Sequence, residues 1–429
     1  MIILMLTVLF LVFLFVGIPV AFALGIPALF YFLVVDIPIA FVSHIMISPL
    51  KNYVLVALPA FLLSGRMMNS TGVTDRLFKC AQALVGRFRG GLAYTNVLAS
   101  AMFASMSGTA VGDAGGLGQV EMEMMDRAGY DKAFSAGITA CSSVLGPLIP
   151  PSVAMVVLGA SSDLNISALF LGGFIPGLLM MVALIVNLFL RSRLTDSGRN
   201  WPVNRIPANE VAGAILRGLP PMGTPLIIIG GISFGVVTPT EAAVLAIDYS
   251  LFLGLVYGEI SIKNLWTTLV ETVETVGTFM IIISIAGFFT WIVTKEGLPG
   301  IIYQVLAPVV SSSATTGLLV FGLLFLILGC FLDTTAAILL VTPVLMPIVR
   351  RMEIDPLHFG VVMVCALVIG IITPPFGICL FVVADVAKIS VKVITIECLK
   401  YLPAMAIILV AIIFIPECVT WLPKYLLNL

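Results

Sequence analysis

The chain has 429 residues, of which 60% are hydrophobic and only 10% charged, with a formal net charge of −1. That much apolar surface cannot be hidden in a domain whose exterior meets water, so the fold class expected is an all-α polytopic membrane protein. The near-neutral charge offers no field for nucleic acid, and two distant histidines (His44, His358) with seven scattered cysteines outside any Cys-x-x-Cys pair argue against a metal centre or a histidine-based enzyme.

In chain order, residues 2–35 carry no charged side chain, no basic leader and no small-residue cleavage site, and are expected to stay in the membrane. Apolar spans are expected near 2–16, 18–35, 53–69, 133–162, 168–190, 219–236, 238–258, 276–293, 296–310, 357–386 and 402–420. Segments 74–88 and 262–275 mix charge with apolar residues at helical spacing and read as amphipathic helices along the interface. Stretches 92–125 and 315–349 are too long for one straight span, and each has a polar cluster at its middle, Ser105–Thr109 and Asp333–Thr335. Both read as re-entrant helical hairpins whose tips are tolerated because they are buried in protein or line a wet cavity. A charged linker, 191–217, holds Arg191, Arg193, Arg199, Arg205 and Arg217 against Asp196 and Glu210, and divides the chain into similar halves.

The halves repeat one another. Cys141, Gly146, Pro150 and Pro151 fall on Cys365, Gly370, Pro374 and Pro375 at one offset (365 − 141 = 224), and Asp131 falls on Asp355 at the same offset. Ser107–Ala110 aligns with Asp333–Ala336. Positive charge gives the orientation of the repeats. Arg87 and Arg89 before the first hairpin face uncharged Ser311–Ser313 before the second, whereas the basic residues Lys388, Lys392 and Lys400 follow only the second broken span. With the Arg87 loop, the linker and the Lys388–Lys400 segment in the cytoplasm, the repeats are inverted, with Arg350 and Arg351 the exceptions.

Proline lacks an N–H, so Pro150, Pro151, Pro374 and Pro375 release the carbonyls of Gly146, Pro147, Gly370 and Ile371, and the bends free those of Ile149 and Thr373. Free carbonyls at membrane depth cost several kcal/mol unless something binds them, and a hard cation such as Na⁺ takes oxygen ligands. Ser105, Ser107 and Gly108 would complete a first cage; Gly329, Asp333 and Thr334 a second. The alternatives are that Ser107 and Asp333 cap the second arms of their hairpins, and that the Pro-Pro pairs are packing kinks. Thr238-Pro-Thr-Glu241 reads as a capping box. Asp113, Glu121 and Glu123 fall on the second arm of hairpin one, the latter two towards the interface. Gly112–Gly118 lacks the preceding strand and following Lys of a phosphate loop. Arg66, late in its span, either snorkels or pairs with an anionic solute, and Thr109 and Thr335 are the other candidate solute contacts.

At Gly17–Gly25, Ser107–Ala110, Gly146–Pro151, Thr238–Ala243 and Gly370–Gly377 the sequence resembles, along its full length, the large membrane subunit of tripartite ATP-independent periplasmic (TRAP) transporters. The resemblance implies a bacterial inner-membrane importer of carboxylates (sialic acid, C4-dicarboxylates or other sugar acids) that uses no enzyme chemistry and is driven by Na⁺. It also implies a periplasmic substrate-binding protein and a small membrane subunit, expected here as a separate polypeptide, with lipid around the outer spans. The implied fold is elevator-type, like the wider ion-transporter superfamily: scaffold 1–90, hairpin and broken helix 91–165, linker and scaffold 166–310, hairpin and broken helix 311–390, and a C-terminal amphipathic segment with the last span, 391–429. Two cages would hold about two Na⁺, enough to make import of a monoanion respond to the potential, at about 2.3 kcal/mol per charge per 100 mV. The alternative is a symporter of dicarboxylates that works without a binding protein.

Overall fold

The computed structural model describes residues 2–35, 37–203, 207–310 and 313–427, and these form helices and connecting turns with no strand. Arg205, Ser311 and Ser312 lie outside the described residues. Six of the described helices are long and apolar enough to cross a bilayer, or up to eight if each sharply bent pair counts as one span.

Both hairpins form where the polar clusters place them. The first has the arm Gly91–Ser107, a turn at Gly108–Thr109, and a return arm in two pieces, Ala110–Gly115 and Leu117–Arg127. The second runs Ala314–Phe331, turns at Leu332–Asp333 and returns as Thr334–Arg351. Both broken helices form too: Lys132–Ser142 and Val153–Ser162 flank the first Pro-Pro pair, Pro356–Gly370 and Ile378–Ala387 the second. Asp131 and Asp355 cap their first halves, each side chain accepting from backbone N–H groups two or three residues on. Both Pro-Pro bonds are cis.

These four elements are among the most deeply buried of the core. In Gly91–Ser107 every residue except Leu98 and Met102 is buried, and Pro356–Gly370 is buried throughout from His358 onward. Ala, Ser and Gly make such close packing possible where the surroundings are themselves apolar. Phe321 and Phe325 of the second hairpin meet the ring of Phe359 edge-on, at 5.4 and 5.5 Å between centroids. The second arms exchange partners: Ala110–Gly115 packs on Ile378–Ala387, while Thr334–Arg351 packs on Val153–Ser162. Hence the end of each return arm meets the end of the other half's broken helix. Arg350 donates to the Ser162 carbonyl at 3.4 Å, and Glu123 shares a crevice with Lys388.

The basic segments converge as well. Gly90 N–H and the Tyr130 hydroxyl both donate to the Pro202 carbonyl, at 3.1 Å each, which pins the linker to the entrance of hairpin one. Arg191 pairs with Glu397, as does Lys400, and Asn187 donates to the Lys400 carbonyl at 3.1 Å. The Arg87 loop, the linker and the Lys388–Lys400 segment therefore gather at one end of the molecule, as one cytoplasmic face requires.

Several boundaries differ from the sequence reading. Residues 262–275 are not a separate interfacial helix; Ile262–Lys295 is one helix of 34 residues, about 51 Å long against a hydrocarbon core of about 30 Å. Of its charges, Glu271 lines the cavity described below, which composition alone does not tell from an interface. The linker is shorter than 191–217, since Ile166–Leu194 extends into it and helix resumes at Ala208, leading into the span Asn209–Ser233. The span near 53–69 is the second limb of a pair bent by 61°, whose first limb begins at Ile39 and had no sequence counterpart. Ile2–Phe15 and Val20–Val35 form, but at 14 and 16 residues each falls short of a full crossing. Thr238–Glu241 is a capping box as expected: Thr238 N–H donates to Glu241 at 2.7 Å, and Glu241 N–H to the Thr238 hydroxyl at 3.3 Å.

Gly329 and Gly370 are where the second hairpin crosses its broken helix. A Cβ on Gly329 would lie 2.4 Å from the Leu367 carbonyl oxygen, and one on Gly370 would lie 2.6 Å from the Gly329 Cα. Backbone on both sides cannot yield cheaply. Gly329→Ala should therefore lower stability by about 1–3 kcal/mol, seen as a lower thermal unfolding temperature in detergent, whereas Gly213→Ala, where a Cβ meets open space, should not.

Candidate functional site

At the first tip, Gly108 adopts φ +64° and its carbonyl accepts from Val153 N–H at 3.1 Å, joining the hairpin to the far side of the first break. Only glycine fits, since a Cβ there would lie 2.6 Å from the Pro151 carbonyl oxygen. Gly146 lies against the same turn: its Cβ would be 2.8 Å from the Thr109 carbonyl oxygen and 3.1 Å from Asp113 Oδ2. Asp113 is 2% exposed; Oδ1 accepts from the Ser107 hydroxyl, and Oδ2 is buried without a hydrogen-bond partner. Ser107, Gly108, Thr109 and Gly146 are thus brought together. Ser105 is buried nearby, with its hydroxyl donating to the Met102 carbonyl at 2.6 Å.

The cap of this hairpin is not Ser107 but Thr109, whose hydroxyl accepts from Gly112 N–H at 3.1 Å. Ser107 is left to hold Asp113. The sequence places Asp113 on the second arm but gives it no role, since its neighbours Ser107 and Gly146 lie across a turn and on another element. Its signal is an acid six residues after Ser107 in the short piece Ala110–Gly115, otherwise made of small and apolar residues.

At the second tip, Asp333 caps its arm as expected, accepting from Thr335 N–H at 2.9 Å. Thr334 is 3% exposed and its hydroxyl oxygen is buried without a partner. The Cys330 carbonyl accepts from Gly377 N–H at 2.9 Å, and Val153 and Gly377, the donors that tie break to tip in the two halves, are related by the same offset of 224 (377 − 153). The halves differ in enclosure: Pro150 and Pro151 are buried, while Pro374, Pro375 and Phe376 are exposed.

Three of the released carbonyls find donors in the fold. The Pro147 carbonyl accepts from the Ser152 hydroxyl at 2.6 Å, that of Ile371 from Cys379 N–H at 3.2 Å, and that of Gly370 from Thr373 N–H at 2.8 Å. The Gly146, Ile149 and Thr373 carbonyls have no donor among the described residues. The first break therefore keeps a free carbonyl, that of Gly146, beside the unpartnered Asp113 Oδ2, and the second keeps the free Thr373 carbonyl. Such oxygen sets suit an alkali cation, and no cluster of three or more His, Cys, Asp or Glu fit for a transition metal occurs among the described residues.

A cavity of about 830 Å³ joins the two tips, lined by Ser107–Thr109 and Asp333–Thr335 together with Arg66, Asn69, Glu271 and Thr275. Arg66 pairs with Glu271 at 3.1 Å and donates to the Thr275 hydroxyl at 2.7 Å. Glu121 does not reach the interface. It is 1% exposed, and accepts from Asn96 at 2.7 Å and from Ser100 at 3.3 Å, in a buried network completed by Thr139 and Ser142. Glu123 does reach the surface, where it pairs with Arg127.

Residues 7–418 match the family model described as tripartite ATP-independent periplasmic transporter, DctM component. The chain is 39% identical over 420 residues to the sialic acid TRAP transporter large permease protein of Vibrio cholerae, covering 97% of each. It is 33% identical over 440 residues to the C4-dicarboxylate TRAP transporter large permease protein of the same species, covering 96% of this chain and 95% of that one. The solved YdaH transporter of Alcanivorax borkumensis shares the fold, with a TM-score of 0.61 at 15% identity over 97% of this chain and 99% of that one.

The Glu121 network gives a direct check of the buried geometry. Asn96→Leu removes the amide donor and should cost about 1–3 kcal/mol of stability, while adding Glu121→Leu should recover part of that loss, because removing both partners leaves no unpaired acid. Thermal unfolding of the single and double variants in detergent measures both steps.

Proposed function

The chain belongs to the large-permease family of tripartite ATP-independent periplasmic transporters, and on that premise we propose that it imports a small carboxylate across the bacterial inner membrane, driven by Na⁺. The observation that carries the sodium reading is the pair of buried, unpartnered oxygens, Asp113 Oδ2 and Thr334 Oγ1, one at each tip beside a break that keeps a free carbonyl. A desolvated Na⁺ at each tip supplies the missing positive charge. In the first site the ligands are Asp113 and Ser107 with carbonyls of the Thr109 and Gly146–Ile149 region; in the second, Thr334 and Asp333 with the Thr373 carbonyl. Asp113 thereby joins the ligand set read from the sequence.

Cation and solute are coupled through the tips, which line the cavity and form the cages with the same residues. An ion at each break fixes the tip conformation that the solute then meets, so solute affinity rises with Na⁺. The exchange of second arms between halves, and the gathering of the basic segments at one end, support inverted repeats. In this reading hairpins and broken helices (91–165 and 311–390) travel as an elevator against the scaffold (1–90 and 166–310), and the segment after 391 completes the fold. A periplasmic binding protein delivers the solute, and a small membrane subunit covers part of the outer apolar surface. Sialic acid and C4-dicarboxylates are the solutes named for the two relatives, and the acid carried here is of that kind.

Reconstitution tests this. Proteoliposomes holding the chain, its small subunit and the cognate binding protein should take up labelled N-acetylneuraminate, succinate or a sugar acid with Na⁺ outside, and not with K⁺. Asp113→Asn and Asp333→Ala should each lower uptake about ten-fold or more, the loss expected for a buried charged ligand. Uptake indifferent to Na⁺, or full in both variants, would sink the sodium reading. Full uptake without the binding protein would favour the stand-alone symporter.

A further inference from the structure

Among the described residues lining the large cavity there is one cation, Arg66, against two carboxylates, Glu271 and Asp333. Arg66 follows Gly65, where the helix Ala57–Ser70 crosses the first hairpin tip so closely that a Cβ on Gly65 would lie 2.9 Å from the Met106 carbonyl oxygen and from the Ser107 Cα. Arg66 thus springs from backbone that abuts the tip and lines the same cavity as it does. Its Nη1 pairs with Glu271 at 3.1 Å and its Nη2 donates to the Thr275 hydroxyl at 2.7 Å. Both partners lie on one face of the long helix, four residues apart.

The pair is built to open. Its side chains are 32% and 57% exposed, so water screens the attraction and either partner can leave at little cost. Two of the five guanidinium N–H groups are engaged in these bonds, and the planar fork suits a carboxylate in a bidentate arrangement. Glu271 keeps the charge answered while the cavity holds only water. An organic acid entering beside the tip can take its place without leaving Arg66 unpaired at any stage.

We propose that Arg66 is the carboxylate receptor of this cavity and Glu271 its exchangeable counter-ion, a pair that admits a monoanionic organic acid and rejects the uncharged analogue. The proposal rests on the import reading above and names how the same cavity recognises its solute. One cation answers one carboxylate. A second carboxylate on the solute would find no second arginine or lysine among the described lining residues, so the pair by itself favours monocarboxylates over dicarboxylates.

The test uses the full chain with its small subunit in nanodiscs, and measures equilibrium binding of N-acetylneuraminate and of its uncharged methyl ester. The wild-type chain should prefer the acid. Arg66→Gln should weaken acid binding about ten-fold or more and leave the ester unchanged. Glu271→Gln should tighten acid binding by about two- to five-fold, the competition of an exposed ion pair being removed, and again leave the ester unchanged. A merely structural salt bridge would instead weaken both ligands in both variants. The exchanged pair R66E/E271R retains an ion pair for folding and should lose the preference for the acid. Preference for the acid surviving in Arg66→Gln or in the exchanged pair, or a wild-type chain without that preference, would overturn the proposal. Acid preference that is present but independent of Na⁺ supports the pair and counts against the sodium reading alone, because the comparison uses no ion gradient.

Discussion

An oxygen with no donor inside a bilayer costs several kcal/mol, and a buried carboxylate without a cation costs more. Both halves of this chain concentrate such oxygens at a break in a helix, opposite the tip of a hairpin. The prolines create the deficit by removing N–H groups, and the fold repairs only part of it: Ser152, Cys379 and Thr373 answer three carbonyls, while those of Gly146, Ile149 and Thr373 remain open. Asp113 Oδ2 and Thr334 Oγ1 are left in the same condition. The hairpins, the small-residue crossings at Gly65, Gly146, Gly329 and Gly370, and the cavity between the tips are all arranged around these two deficits.

In the proposed reading, the same packing is what would let a solute sense an ion. Gly108 and Cys330 tie each tip to the far side of its own break by one backbone hydrogen bond, and the second arm of each hairpin rests on the other half's broken helix. Each break is thus in contact with its own tip and, through the second arms, with the other half's hairpin. The halves are not equivalent in this conformation, since the first break is enclosed and the second is exposed at Pro374–Phe376.

Much of this was legible in the sequence because it depends on local chemistry. The Gly-x-x-x-Pro-Pro pairs, the aspartates that cap the broken helices, the polar hairpin tips and the Thr238 capping box are each written in a few consecutive residues. What the sequence hid lies in contacts between distant segments. Glu271 meets Arg66 across 205 residues, and Glu121 is buried by Asn96, Ser100, Thr139 and Ser142 from two neighbouring elements. Hydropathy knows only lipid and water, whereas Glu121 sits in a buried polar network and Glu271 lines a cavity within the protein. Asp113 has a place on its arm but no role in the sequence for a similar reason: its partner Ser107 is across a turn, and the free oxygen becomes significant only when Gly146 is brought against it.

The central claim, that each break with its tip is one cation site, is tested most directly by counting ions. Saturation binding of radioactive ²²Na⁺ to the purified chain in nanodiscs should give two sites per molecule, reduced to one by Asp113→Ala and to one by Thr334→Ala combined with Asp333→Ala. An absence of saturable binding, or two sites surviving both sets of substitutions, would contradict the account.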